Sequence, residues 1–281
     1  MTTEHSLRTD EATLVYDVHG PLPPEFGRPP LMMVGQPMGA DGFRALAAQF
    51  PDRTVVTYDV RGLGRSTRHD GRTALSPDSN ARDVHAIIEA LGAGPVDLLG
   101  SSGGAITGLA LVVAHPDDVT TLVAHEPPLF AVLPDAERLF AAERDLHALY
   151  ADKGWGPAMA AFIGLTSWRG ELTDDYTAQP LPAPATFGLP TDDDGRRDDP
   201  LLSGVSDAVS GYRPDLAALR TASARVVLAV GADSADLVTG RTTNAVAAAL
   251  GQTPAVFPGG HGGFHEKPDE FAARLREVLA G

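Results

Sequence analysis

The sequence predicts an α/β fold, a mostly parallel twisted sheet with helices on both faces and a helical insertion. Three observations carry that prediction. Short apolar runs alternate with helix-like stretches over about the first 125 residues. The rhythm breaks after Glu126. It resumes near residue 223 and holds to the end of the chain.

The elements follow in order. Thr13 to His19 reads as a first strand, and Leu31 to Val34 is a short apolar run that stops at Gly35. Phe43 to Phe50 has helical spacing. Thr54 to Tyr58 is the next strand and ends in Asp59. Ser76-Pro77-Asp78 opens a helix with a capping hydroxyl, a proline in the first turn and an acid at the positive end. Its apolar positions Val84, Ile87, Ile88 and Leu91 recur at i, i+3, i+4 and i+7, and Gly92 stops it. Val96 to Leu99 is a buried strand, Ala105 to His115 an apolar helix, and Val119 to Ala124 another strand. Asp135 to Asp152 and Gly156 to Leu165 read as helices. Gly170 to Pro200 holds five prolines and eight carboxylates, the composition of a lid or mobile loop. Asp215 to Thr221 is a short returning helix. Arg225 to Val230, Thr243 to Leu250 and Ala255 to Phe257 restore the alternation. Phe271, Leu275, Val278 and Leu279 mark a terminal amphipathic helix. The expected division is a core of residues 1–126 and 223–281 with a cap over 127–222.

Composition narrows the function. The formal charge of −15 argues against nucleic acid and against an anionic membrane. There is no cysteine, which excludes thiolate catalysis and disulfides. No stretch reaches the length of a membrane span, and Met1 to Glu11 lacks the apolar segment of a secretory signal. A cytoplasmic protein is expected. No histidine–carboxylate set has a metal-ligand spacing such as H-E-x-x-H, so no metal and no cofactor are expected.

Chemistry concentrates at Gly100-Ser101-Ser102-Gly103-Gly104, a G-x-S-x-G pentapeptide between a strand and a helix. That context raises a serine to the apex of a strained turn, with its hydroxyl clear of the sheet. A serine hydroxyl needs a base, and the base needs an orienting partner. His261 lies after the last strand, in a loop with four glycines within two residues of it. His265 stands on the approach to the terminal helix and is a weaker candidate.

With these motifs in order, the chain resembles the α/β-hydrolase superfamily. Asp59-Val60-Arg61-Gly62-Leu63-Gly64-Arg65-Ser66 is similar to its D-x-R-G-x-G-x-S turn, Val34-Gly35-Gln36-Pro37 stands at its oxyanion-hole loop, and Gly260-His261 with Pro268 resembles its catalytic-histidine loop. The resemblance implies Ser102 as nucleophile, His261 as general base, and the backbone N–H groups of Gln36 and Gly103 as oxyanion hole. Val34 replaces the superfamily's usual histidine, which leaves a backbone donor intact.

The acid is open between three carboxylates. The usual position after the post-cap strand falls on Ser234, flanked by Asp233 and Asp236. A second location lies at the end of the strand after the elbow, as in some haloalkane dehalogenases. Glu126 stands there, ahead of Pro127-Pro128, and is the first choice. Candidate pocket residues are Met38, His125, Trp155, Phe162, Trp168 and Phe187.

The expected activity is hydrolysis of an ester, lactone or thioester through an acyl-enzyme, with a small-molecule substrate and a monomer or homodimer. A serine at the apex argues against epoxide hydrolase or dehalogenase chemistry, which uses a carboxylate there. The alternatives are a carbon–carbon bond hydrolase, a haloperoxidase-like perhydrolase, or a slow-turnover binding protein.

Overall fold

The computed structural model describes residues 1–25 and 27–281. In chain order the strands are β1 Thr2–Arg8, β2 Ala12–His19, β3 Leu31–Gln36, β4 Val55–Tyr58, β5 Thr67–Arg68, β6 Val96–Ser102, β7 Val119–His125, β8 Arg225–Gly231 and β9 Ala255–Phe257. The helices are α1 Arg44–Ala47, α2 Pro77–Leu91, α3 Gly103–Ala114, α4 Ala136–Lys153, α5 Trp155–Thr166, α6 Asp174–Thr177, α7 Asp207–Ser210, α8 Leu216–Thr221, α9 Val238–Ala249, α10 Gly263–Glu266 and α11 Pro268–Ala280.

The main sheet path runs β1-β2-β4-β3-β6-β7-β8-β9, with β5 paired on β2. β1, β2 and β5 pair antiparallel, and every pairing from β4 through β9 is parallel. Parallel neighbours need crossovers, and here helices supply them on both faces. Alternation along the strands sorts the side chains. Met32 and Val34 of β3 join the cluster under α2 and α3, which holds Val84, Ile87 and Leu109. Leu31 and Met33 point to the opposite cluster, built on Leu46, Phe271, Leu275 and Val278.

Four differences from the expected elements bear most on the fold and the site. β1 was not expected, because Thr2–Arg8 is polar and exposed; it is an edge strand whose partner is β2. The helix expected over Phe43–Phe50 is a 3-10 turn at Ala40–Phe43 followed by the single turn α1. Ser76 does stand before α2, but its hydroxyl makes no capping bond; its carbonyl accepts from Asn80 N at 2.9 Å. α9 starts at Val238, five residues ahead of the expected Thr243, a shift that bears on the site.

Between β7 and β8 the chain forms α4 through α8. α4 and α5 pack on each other around Leu139, Leu146, Ala161 and Leu165. Val209 of α7 and Leu219 of α8 belong to the cluster of α2 and α3. The end of this segment is thus packed as core, directly on α3.

Candidate active site

The elbow is built by collisions that only glycine avoids. A Cβ on Gly104 would lie 2.0 Å from the Val34 carbonyl oxygen, and one on Gly100 would lie 2.5 Å from that of Gly104. β3, β6 and α3 can therefore approach backbone to backbone. Ser102 takes φ 57° and ψ −126°, a conformation that L-residues rarely adopt. It is partly exposed between two buried neighbours. α3 begins at Gly103, so its free N–H groups and positive dipole end face the ground beside the hydroxyl.

Strand register lines up the rest. Gln36 pairs with Ser102, Ser101 with His125, His125 with Ala229, and Gly231 with Phe257. The carboxyl ends of five adjacent strands thus form one strand-end row, within two residues of a common level, that holds Gln36, Ser102, His125, Gly231 and Phe257, with Glu126 one residue beyond its strand. The loop carrying His261 leaves β9 on that same edge.

Glu126 is fully buried, with φ 50°. Its Oε1 accepts from Gly231 N at 2.8 Å, and its Oε2 accepts from Thr239 Oγ1 at 2.6 Å and from His261 Nδ1 at 2.7 Å. Burial alone would push the carboxyl up. The His261 hydrogen bond, the neighbouring imidazoles and the Thr239 hydroxyl outweigh that and hold it down at about 2. A carboxylate so held fixes a proton on His261 Nδ1 and leaves Nε2 free to accept one. Asp233 and Asp236 are exposed, and neither hydrogen-bonds His261 among the described residues. Asp236 lies 3.9 Å from Arg169, and Asp233 is tied through its own N–H to Gly259 O.

Gln36 and Gly103 meet. A Cβ on Gly103 would stand 2.9 Å from Gln36 Cβ and 3.2 Å from Val209 Cγ1. The Gln36 side chain is buried and accepts from Asn80 Nδ2 at 2.7 Å. The turn after β4 supports this loop. Asp59 accepts from Ala40 N at 2.8 Å and from Arg65 Nε at 2.7 Å. Arg61, buried, takes Asp83 with two donors at 2.6 and 2.5 Å. The D-x-R-G-x-G-x-S turn is thus a brace between β4, α2 and the Gln36 loop.

The proposed lining residues disperse. His125 is fully buried among Phe257, Phe264 and Phe271, with its ring centroid 6.2 Å from that of His261 and Nδ1 3.2 Å from Ser101 Oγ. It has no surface to offer a substrate, and burial pushes its imidazole down to about 4. Met38 packs beside the Phe43 cluster. Trp155 donates to Asp199 at 2.9 Å and packs with Tyr150, Ala158 and Leu202, and Phe162 packs between the α4 and α5 clusters. Trp168 and Phe187 line a cavity of ≈ 600 Å³ between α4, α5 and residues 172–187, and no residue of the strand-end row lines it.

Four participants were not anticipated. Thr239 and the Gly231 N–H complete the Glu126 shell; Thr239 escaped because α9 was expected to begin after it. Asn80 looked like an ordinary residue of α2. Glu143 of α4 accepts from Ser210 Oγ at 2.9 Å, one residue from the Val209 that abuts Gly103, and burial pushes its carboxyl up to about 7.

Comparison with known proteins agrees with the fold. A family profile described as the alpha/beta hydrolase fold matches residues 29–156. The chain has the α/β-hydrolase fold. An uncharacterized hydrolase, YraK, of Bacillus subtilis is 28% identical over 279 residues, covering 98% of this chain and 95% of that one. A thermophilic esterase from Thermogutta terrifontis superposes with a TM-score of 0.67 at 20% identity, covering 99% and 98% of the two chains. Est816, described as an N-acyl homoserine lactone degrading enzyme, superposes with a TM-score of 0.64 at 21% identity, covering 97% and 99%. At such identities the two structures establish a shared fold.

Proposed function

We propose that the chain is a serine hydrolase that cleaves an ester, lactone or thioester through a Ser102–His261–Glu126 triad. That it is a hydrolase rests on its match to the alpha/beta hydrolase fold profile and its similarity to a protein named as a hydrolase. The observation that carries the finer reading is the Glu126–His261 hydrogen bond, made by a fully buried carboxylate on the strand edge that bears a strained Ser102.

In this reading Ser102 Oγ attacks the substrate carbonyl carbon and its proton passes to His261 Nε2. The carbonyl oxygen becomes an oxyanion, held by the N–H groups of Gly103 and Gln36. One such donor is worth about 3–4 kcal/mol of transition-state stabilisation. His261 returns the proton to the leaving alcohol or thiol, and the C–O or C–S bond breaks. Water then gives a proton to His261 and attacks the acyl carbon; the bond from that carbon to Ser102 Oγ breaks as His261 returns the proton to Oγ, which frees the acid and restores Ser102. Glu126 stays ionised throughout and stabilises the imidazolium. Residues 127–222 act as the cap that shapes substrate access. The neighbours described as an esterase and as a lactone-degrading enzyme favour oxygen esters and lactones among these substrates.

The test is labelling with a fluorophosphonate together with hydrolysis of 4-nitrophenyl esters. The wild type takes one label and turns over; Ser102→Ala does neither while keeping its melting temperature. A wild type that is neither labelled nor active, or a Ser102→Ala variant that retains both properties, overturns the reading.

A further inference from the structure

At the opposite, amino-terminal end of the strands lies a second cluster. His115 ends α3, and His115-Pro116-Asp117-Asp118 forms a 3-10 turn closed by Asp118 N to His115 O at 3.1 Å. The turn brings the His115 and Asp118 side chains to one side, their ligand atoms within 4.8 Å. Ser223 Oγ pins the turn through Pro116 O at 3.1 Å and Asp117 Oδ1 at 2.9 Å. His85 comes from α2, which packs on α3. Its ring stacks on that of His115 with centroids 3.7 Å apart and planes 10° apart, and its Nδ1 lies 2.6 Å from Asp118 Oδ2.

We propose that His85, His115 and Asp118 form a divalent transition-metal site, with zinc as the ion of best fit. One ligand atom from each residue lies within 4.8 Å of the others, and all three residues are half-buried and open to solvent. Two imidazoles and a carboxylate suit zinc and leave its fourth tetrahedral position to water. Each imidazole lone pair lies in its own ring plane, so zinc binding, with bonds of about 2.0–2.2 Å, would turn at least one of the two rings out of the parallel stack.

The second shell argues for a site over a plain ion pair. Glu89 Oε2 lies 3.5 Å from His85 Nε2, on the far side of the ring from Asp118. When Nδ1 gives its lone pair to a metal, the ring proton moves to Nε2 and meets Glu89. That is the carboxylate–histidine–metal arrangement that orients metal ligands. The excess of acidic groups over the whole chain also favours a cation. Sequence reading missed the set because its ligands come from two separate segments, His85 and the His115/Asp118 turn. Val119 to His125 spans β7, so the cluster stands about 20 Å from the Ser102 edge.

The test is calorimetric titration of the metal-free full chain with zinc chloride, alongside the visible spectrum on adding cobalt(II). One zinc per chain, with tetrahedral cobalt bands, is expected. His85→Ala and His115→Ala should each weaken zinc binding at least tenfold, and Glu89→Ala about tenfold. His261→Ala should bind zinc as the wild type does. The melting temperature should rise with zinc in the wild type and not in His85→Ala. His85→Asn serves as a second variant should the alanine form fold poorly. The proposal fails if the wild type shows no saturable binding, or if binding survives unchanged in the His85 and His115 variants.

Discussion

Glu126→Gln probes the acid most sharply, because the hydrogen bonds around it decide which way an amide must face. Gly231 N–H lies against Oε1 and can only donate, so the glutamine oxygen is pinned on that side. The amide nitrogen then faces His261 Nδ1, where the wild type has the carboxylate oxygen Oε2. Two donors cannot meet there. The imidazole must carry its proton on Nε2 and present a bare Nδ1, and in that tautomer it cannot take a proton from Ser102. The comparable change in other triads costs about 10⁴ in kcat, which is ~5 kcal/mol of barrier. The stability term has a definite sign. The folded carboxyl is held at about 2, below its ordinary value of 4.5. It stabilises the fold above pH 4.5, by ~3 kcal/mol, and loses this as pH falls toward 2. The gap in stability between wild type and variant should therefore close over that window. The assay is steady-state hydrolysis of a 4-nitrophenyl ester at pH 7.5, with thermal melts from pH 7 down to 3. A Glu126→Gln enzyme with kcat above a tenth of wild type, or an Asp233→Asn enzyme that loses more, would refute this reasoning.

Three further outcomes are expected. Gly104→Ala sets a methyl 2.0 Å from a backbone carbonyl in β3 that cannot yield, and should cost about 3 kcal/mol or more; melting should fall by about 6–12 °C. Glu143 is held up at about 7 against an ordinary 4.5, so the folded state keeps its proton longer than the unfolded one. Its stabilisation is complete below pH 4.5 and is lost as pH rises through 7; urea unfolding should show Glu143→Gln gaining on wild type across that range, by up to ~3 kcal/mol. His125 is pushed down to about 4 from 6.5, so the unfolded chain binds its proton first as pH falls. Wild type should lose up to ~3 kcal/mol between pH 6.5 and 4, and His125→Phe should flatten that loss in the same urea assay.

Much of the core could be read from pattern because its physics is local. The helix with Val84, Ile87, Ile88 and Leu91 on one face, and the glycine that ends it at φ 61°, announce themselves by spacing. So did the elbow, since Gly100, Ser102 and Gly104 meet steric demands within a few residues. β1 was hidden because an exposed edge strand of polar residues has no apolar alternation to display. Glu126 could be favoured by its place after β7, yet its three hydrogen-bonding partners come from Gly231, Thr239 and His261, more than a hundred residues onward. Trp155 and Phe162, expected to line the pocket, pack within the insertion, and Trp168 lines a cavity away from the strand ends; aromatic residues in a helical insertion pack on each other as readily as on a ligand, and spacing alone does not separate the two.

The carboxylate that grips His261 precedes the long insertion, while the acidic loop behind β8 holds no part of that grip. In the proposed triad, nucleophile and orienting group thus travel together on two adjacent crossover units, only 24 positions apart in the chain. The insertion ahead of α7 need only deliver the polypeptide to the α7 and α8 packing on α3 and so to β8, after which the last strand and loop swing an imidazole back overhead. The side chains of Asp233 and Asp236 and the insertion ahead of α7 are free to change without re-inventing the proposed proton relay, whereas Gly231 and Thr239 must keep their hold on Glu126.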